Sequence, residues 1–255
     1  NKQEEYERMN IKLTIEYIGT AFSGWQKQQN SNTVQAAIED AIKKITGKES
    51  ELTASGRTDA GVHALGQVAN FHTDTSIPPE RLKYALNSQL NEDIRIIESV
   101  QTEDEFHSRF GAKKKTYLYR IQTGDVRRPF EKNRSYYVKG SLDIDKMREQ
   151  ARFIVGEHDF SAFKSEGSSA RNFVRTVYSL ELRQNGDIIE MEITGNGFLY
   201  NMVRIIAGTL IEAGRGRETD VKKILESRSR EFAGPTAPAM GLYLKNVCYS
   251  IDKEL

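Results

Sequence analysis

The stretch Val174 to Thr194, VRTVYSLELRQNGDIIEMEIT, decides the fold. Two runs, Val174 to Arg183 and Ile188 to Thr194, are joined by Asn185-Gly186, a pair that marks a tight hairpin turn. Working outward, Asp143 to Val155 places Ile144, Met147, Ala151 and Ile154 or Val155 on one side of a helix. Before it, Lys114 to Gln122 alternates Tyr117, Tyr119 and Ile121 with Thr116, Leu118 and Arg120, the period of a strand. After the hairpin, a helix is expected over Phe198 to Ala213 and another from Thr219 to Ser227. Pro235 and Pro238 mark an irregular connection to a last strand, Leu242 to Ile251.

The first half repeats this order. Ile11 to Tyr17 reads as a strand and is followed by a turn-rich loop, GTAFSGWQKQQNSN. A helix follows with Val34, Ala37, Ile38, Ala41, Ile42 and Ile45 inward. Asn32 with Gln35 has the spacing of a capping box, and Gly47 is a stop signal. Leu52 to Ser55 and Gln67 to His72 are strands, Pro78 and Pro79 open a helix through Leu90, and Ile94 to Val100 is a strand. Each half is βαββαβ. The expectation is an α+β chain of two RRM-like, ferredoxin-like units fused into one extended antiparallel sheet. Helices would cover one face, and an active-site cleft would lie between the halves. Residues 1–8 are a charged extension, 9–105 the N-terminal half and 106–255 the C-terminal half. The uncovered face of such a sheet commonly carries single-stranded RNA.

Three segments carry chemistry. GRTDAGVHA, residues 56–64, sets one carboxylate, Asp59, among small and apolar residues. Small neighbours leave space around Asp59, and glycines allow close approach. Asp59 is then a reactive group, or it caps an ordinary Asx-turn. Arg204 is the sole charge between Glu192 and Glu212, surrounded by Phe198, Leu199, Met202, Val203, Ile205 and Ile206. Apolar residues on nearly all faces mark a buried helix. A guanidinium there needs an anion, and Asp59 is the candidate; alternatively Arg204 reaches the surface along its own stem. The run is nearly long enough to span a bilayer. A central Arg204, two asparagines and three glycines argue for a helix buried in protein instead. Finally, Lys113, Lys114 and Lys115 lead into Tyr117 and Tyr119, cations beside rings that can hold phosphates and stack on bases. An edge strand guarded by lysines is the other reading.

Formal net charge is only +1 over 255 residues, so bulk charge does not announce a nucleic-acid partner. Positive residues nonetheless cluster at Lys113 to Lys115, Arg127 and Arg128, Arg171 and Arg175, and Arg215 and Arg217. The lone cysteine, Cys248, excludes an intramolecular disulfide and suits a reducing cytoplasm. There is no CxxC or HExxH, so no metal is expected. No apolar leader precedes the first strand; a cytoplasmic protein starting naturally at Met9 is expected.

The chain resembles the TruA family of bacterial tRNA pseudouridine synthases. The likeness rests on GTAFSGWQKQ at 19–28, GRTDAGVHALGQVANF at 56–71, KKTYLYRI at 114–121, DFSAFKSEGSS at 159–169, VRTV at 174–177, NGFLYNMVRIIAG at 196–208 and GLYLKNV at 241–247. The set, in this order, is highly specific. The resemblance implies isomerisation of uridine to pseudouridine in the 3′ half of the tRNA anticodon stem-loop. It also implies a homodimer working without cofactor or metal, one tRNA touching both subunits. Asp59 stands at the place of the catalytic aspartate, as nucleophile, with Arg204 as its ion-pair partner. Tyr117 stacks on the target uracil and assists loss of the C5 proton. Arg57 follows the RNA backbone or fills the space left by the extruded base. Lys113, Lys114, Lys115, Arg127, Arg128, Arg171 and Arg175 are candidate phosphate contacts. Two other functions use the same residues: a non-catalytic RNA-binding or chaperone protein, and a nucleosidase that releases uracil. The latter commonly shows a second carboxylate, and none stands near Asp59 in sequence.

Overall fold

A computed structural model describes residues 7–167 and 170–250. The extension read over residues 1–8 therefore lies outside the described residues as far as residue 6, as do Ser168, Ser169 and the expected strand end at Ile251. The fold is α+β, with ten strands and five α-helices among the described residues. It divides into two units. The first holds described residues up to Ala112 and those from Leu244 onward; Lys113–Tyr243 form the second.

In the first unit the order is β1 (Met9–Tyr17), α1 (Val34–Thr46), β2 (Thr53–Ala54), β3 (His63–Thr73), α2 (Leu82–Asn87) and β4 (Ile94–Thr102). That is the expected βαββαβ pattern. The strands lie side by side as β4-β1-β3-β2, every pair antiparallel. Alternation along β1 sends Ile11, Leu13 and Ile15 into the core with no exposed surface. Val34, Ile38 and Ile42 of α1 and Leu82 and Leu86 of α2 are equally buried. Each such side chain contributes roughly 1.5–3 kcal/mol.

The capping box is corrected by one residue. Thr33 is the N-cap, its hydroxyl accepting from Ala36 N at 3.4 Å, because the Asn32 amide is drawn away to Ala21 O at 3.0 Å. Gly47 ends α1 as expected. The helix expected from Pro78 to Leu90 is shorter. Pro79–Arg81 form a 3-10 turn and α2 stops at Asn87, whose side chain is held by Ile96 N and O of β4 at 2.8 and 2.9 Å.

Sequence placed the division after residue 105, whereas residues 106–112 stay with the first unit. Buried amides hold them there. Asn10 Nδ2 donates to Phe106 O at 3.0 Å and Asn70 Nδ2 to Asn10 Oδ1 at 3.0 Å. Asn70 Oδ1 accepts from Ser108 N at 2.9 Å and Ser108 Oγ at 2.7 Å.

The second unit runs β5 (Lys114–Gln122), β6 (Tyr136–Tyr137), α3 (Ile144–Ala151), β7 (Gly156–Asp159), β8 (Val174–Asn185), β9 (Ile188–Gly195), α4 (Met202–Gly214) and α5 (Val221–Ser227), then enters β10 (Leu242–Cys248). Its strand order is β5-β9-β8-β7, with β6 parallel to β5. Neither β6 nor β7 was expected; strands of two and four residues are too short to show a period. Asn185 pairs with Ile188, so the hairpin turn is Gly186-Asp187, one residue later than expected. Gly186 takes the positive φ, 60°, at the first central position, as a type II′ turn requires.

Helix ends also shift. The α3 helix starts after its cap Asp143 and gives way at Arg152 to a 3-10 turn. Asp220 caps α5 through Lys223 N at 3.1 Å. The α4 helix begins at Met202 and not at Phe198, because Asn201 adopts a left-handed conformation with φ of 61°. No helix among the described residues is long and apolar enough to cross a membrane.

Asn70→Ala leaves the buried Ser108 amide without its acceptor. It should cost about 1–3 kcal/mol, read as a lower urea midpoint, with faster amide hydrogen exchange at Ser108.

Candidate active site

Asp59 lies in the first unit, in the loop between β2 and β3. The loop is fixed on both sides of Asp59. Thr58 O accepts from Trp25 N at 3.0 Å, and the Thr58 and Tyr17 hydroxyls share a buried hydrogen bond of 2.7 Å. Beyond Asp59, Val62 N donates back to Asp59 O at 3.1 Å. Two glycines make this packing possible. At Gly24, where φ is +90°, a Cβ would lie 2.7 Å from Thr58 O, and at Gly19 it would lie 1.9 Å from Val62 O. Farther back, Gln67 has no exposed surface; it donates to Gly56 O at 2.9 Å and accepts from Ser55 Oγ at 2.7 Å. Trp25 and Phe22 are buried beneath the loop. Against this fixed frame the Asp59 side chain is half-buried and Arg57 is exposed.

Tyr117 and Arg204 belong to the second unit. Tyr117 sits on β5 opposite Ile193 of β9, half-buried, with the Phe198 ring edge-on at a centroid distance of 5.3 Å. Two residues on, Tyr119 is fully buried and donates to Pro238 O at 2.8 Å. Burial pushes the Tyr119 hydroxyl well above its ordinary pKa, while the nearby Arg204 charge acts the other way. Its proton is thus retained for that bond.

Arg204 stands in the first turn of α4 with its guanidinium oriented by two acceptors. Nε donates to Ala237 O at 2.7 Å and Nη1 to Asn201 Oδ1 at 2.8 Å. Asn201 is itself tied to Ser165 Oγ at 2.9 Å, and Ala237 N returns a bond to Arg204 O at 3.1 Å. The segment carrying Ala237 is seated against α4 at Gly208, where a Cβ would lie 1.8 Å from Pro235 O.

The expected phosphate contacts differ in freedom. Lys113, Arg127, Arg128 and Arg171 are exposed, and Lys114 and Lys115 half-exposed. Lys114 lies over the Tyr178 ring at 5.4 Å. Arg128 is engaged by both oxygens of Asp187 at 3.1 Å. Arg175 donates to Asn172 O and Val174 O at 2.9 and 2.6 Å, and burial lowers its pKa. Sequence reasoning missed the residues that hold the site. Asn201 was hidden inside an expected helix, though asparagine tolerates left-handed backbone better than most residues and so can begin one. Tyr17, Thr58 and Gln67 gave no signal, since their roles depend on long-range packing.

Comparison with known proteins puts the chain in the class of pseudouridine-forming isomerases. A family model described as tRNA pseudouridine synthase matches residues 13–111 and 151–250. tRNA pseudouridine synthase A of Acetivibrio thermocellus is 51% identical over 242 residues, covering 94% of this chain and 99% of the relative. tRNA pseudouridine synthase A 2 of Clostridium tetani is 49% identical over 245 residues, and tRNA pseudouridine synthase A of a Thermoanaerobacter species 49% over 242, both with the same coverage. The chain belongs to the tRNA pseudouridine synthase family, in its TruA branch.

Gly24→Ala should displace the Asp59 loop, since the new Cβ meets backbone and not a flexible side chain. Turnover is expected to fall about 100-fold, with near-normal far-UV circular dichroism; wild-type turnover would show that the loop does not position Asp59.

Proposed function

We propose that the chain converts uridine to pseudouridine in the 3′ half of the tRNA anticodon stem-loop, with Asp59 as nucleophile and no cofactor or metal. One observation carries this reading: a half-buried carboxylate on a loop whose backbone is fixed on both sides by Trp25, Tyr17 and Val62. Family membership and the intact GRTDAG segment support it.

In the reaction the C1′–N1 bond breaks, the uracil turns, and C5 bonds to C1′. C5 loses a proton and N1 gains one, so composition is unchanged. Asp59 as nucleophile has two routes, attack at C1′ to give a glycosyl ester or addition at C6; a third route, removal of the C2′ proton to give a glycal, uses it as a base. All require an ionised, aimed carboxylate. Arg204 serves as the ion-pair partner that keeps it so. The fixed orientation of the guanidinium, held by Asn201 and Ala237, supports this role. Tyr117 packs on the extruded uracil and assists loss of the C5 proton. Arg57 tracks the RNA backbone or fills the space left by the extruded base, and the exposed Lys113, Arg127 and Arg171, with Lys114, Lys115, Arg128 and Arg175, meet phosphates. The working unit is a cytoplasmic homodimer in which one tRNA touches both subunits.

Incubation with an unmodified tRNA transcript, followed by carbodiimide labelling and primer extension, should map pseudouridine to the anticodon arm. Asp59→Ala and Asp59→Asn should yield none; product from Asp59→Asn, or free uracil from the wild type, would overturn the reading. Arg204→Lys retains charge but not the planar fork. It should lose about 100-fold in turnover, and undiminished turnover would remove the ion pair. Tyr117→Phe should keep tRNA affinity while slowing a single turnover, and Tyr117→Ala should lose both. Equal rates for Tyr117→Phe and wild type would leave the ring with stacking alone.

A further inference from the structure

Outside the site described above, the second unit holds a large apolar ring in water. Phe130 is 92% exposed and Val126 75% exposed, both on the loop between β5 and β6. The loop is not loose. Gln122, with no exposed surface, closes its base by donating to Val126 O at 2.9 Å and accepting from Arg128 N at 3.0 Å. Gly124 and Gly140 exchange two backbone bonds of 2.7 and 3.0 Å, and Tyr137 Oη donates to Gly124 O at 3.0 Å. Arg128 is anchored on Asp187. Pro129 opens a 3-10 turn in which Glu131 N and Lys132 N reach back to Arg128 O and Pro129 O at 3.2 and 3.1 Å. The Glu131 carboxylate accepts from Arg120 Nη2 at 3.3 Å. The backbone of Phe130 is thus pinned on both sides while its ring contacts solvent.

An aromatic side chain presented in this way has its backbone ordering cost met before any partner arrives, which favours a binding anchor. Surrounding charge selects the partner. Residues 124–140 carry five cations, Arg127, Arg128, Lys132, Arg134 and Lys139, against two carboxylates, Asp125 and Glu131. Among the described residues Glu131 already faces Arg120, while Arg127, Lys132 and Arg134 are exposed. A ring flanked along the chain by exposed cations matches a polyanion with planar faces. Two such loops meeting about a two-fold axis would set like charges together, which costs energy.

We propose that this loop is a second RNA-docking element, in which Phe130 stacks on an unpaired base of the tRNA and Arg127 meets the adjoining phosphate. It rests on the reading of the chain as a tRNA-modifying enzyme.

The test is filter binding of the full chain to an unmodified tRNA transcript over a salt series. Phe130→Ala should weaken binding on the order of tenfold, with an unchanged slope of affinity against salt, because no cation is lost. Phe130→Trp should bind like wild type, and Phe130→Leu like Phe130→Ala, since leucine is apolar but does not stack. Arg127→Ala should reduce the salt slope by about one. Wild-type affinity in Phe130→Ala or in Phe130→Leu overturns the proposal. So does a change in sedimenting mass of free Phe130→Ala, which would assign the ring to a second copy of the chain. Pseudouridine mapping on the same transcript reports separately. Phe130-dependent binding without product would remove the catalytic reading and keep this one. Product formation with Phe130-independent binding would remove this one alone.

Discussion

At Gly24 the backbone of one loop passes so close to Thr58 of another that no side chain fits between them. The rest of the first unit's functional arrangement depends on this approach. It lets Trp25 N reach Thr58 O, and it brings the Thr58 hydroxyl to Tyr17 at the end of β1. Strand β1 thereby helps dictate where the residue before Asp59 lies. A reactive carboxylate gains nothing from proximity unless its backbone cannot drift, because small displacements at a reacting centre are costly. Hydrophobic burial alone would not hold a polar loop to that tolerance; hydrogen bonds to its main chain do.

In the second unit the same task is solved for a guanidinium by different means. The α4 helix is apolar almost throughout, so Arg204 cannot be steered by neighbours on its own helix. Two of its acceptors come from the left-handed residue before the helix and from the irregular segment at Ala237. The guanidinium is thus oriented by a helix start and a crossing chain. Tyr119, buried and hydrogen-bonded to Pro238, ties that crossing segment to β5.

Much of this was legible in the sequence, for identifiable reasons. Alternation set β1 and β5, and helical spacing set α1 and α3, since burial on one face writes a period into the chain, while the Asn-Gly pair marked the β8–β9 hairpin. Errors fell where a side chain bonded outside its own element. Asn32 left the cap of α1 for Ala21, Asn87 cut α2 short for β4, and Asn201 delayed α4. The hairpin turn moved one residue because the pairing register, not the Asn-Gly dipeptide, decides which residues are central. Asp59, Tyr117 and Arg204 stood out by contrast with their surroundings. Tyr17, Thr58 and Gln67, which hold the Asp59 loop, look ordinary in sequence because their partners come from other elements, and Asn201, which orients Arg204, because it sits inside an apparent helix.

The contact of Gly208 with Pro235 has a thermal consequence. The segment from Pro235 to Ala237 is irregular and short, and it meets α4 through backbone contact, a few bonds and the buried side chain of Ala237. Regions with little buried apolar surface open at lower free energy than a core does. Warming would therefore release the Nε acceptor of Arg204 before the strands of the second unit separate. Loss of that acceptor, carried by one short irregular segment, then precedes unfolding of the chain as a whole.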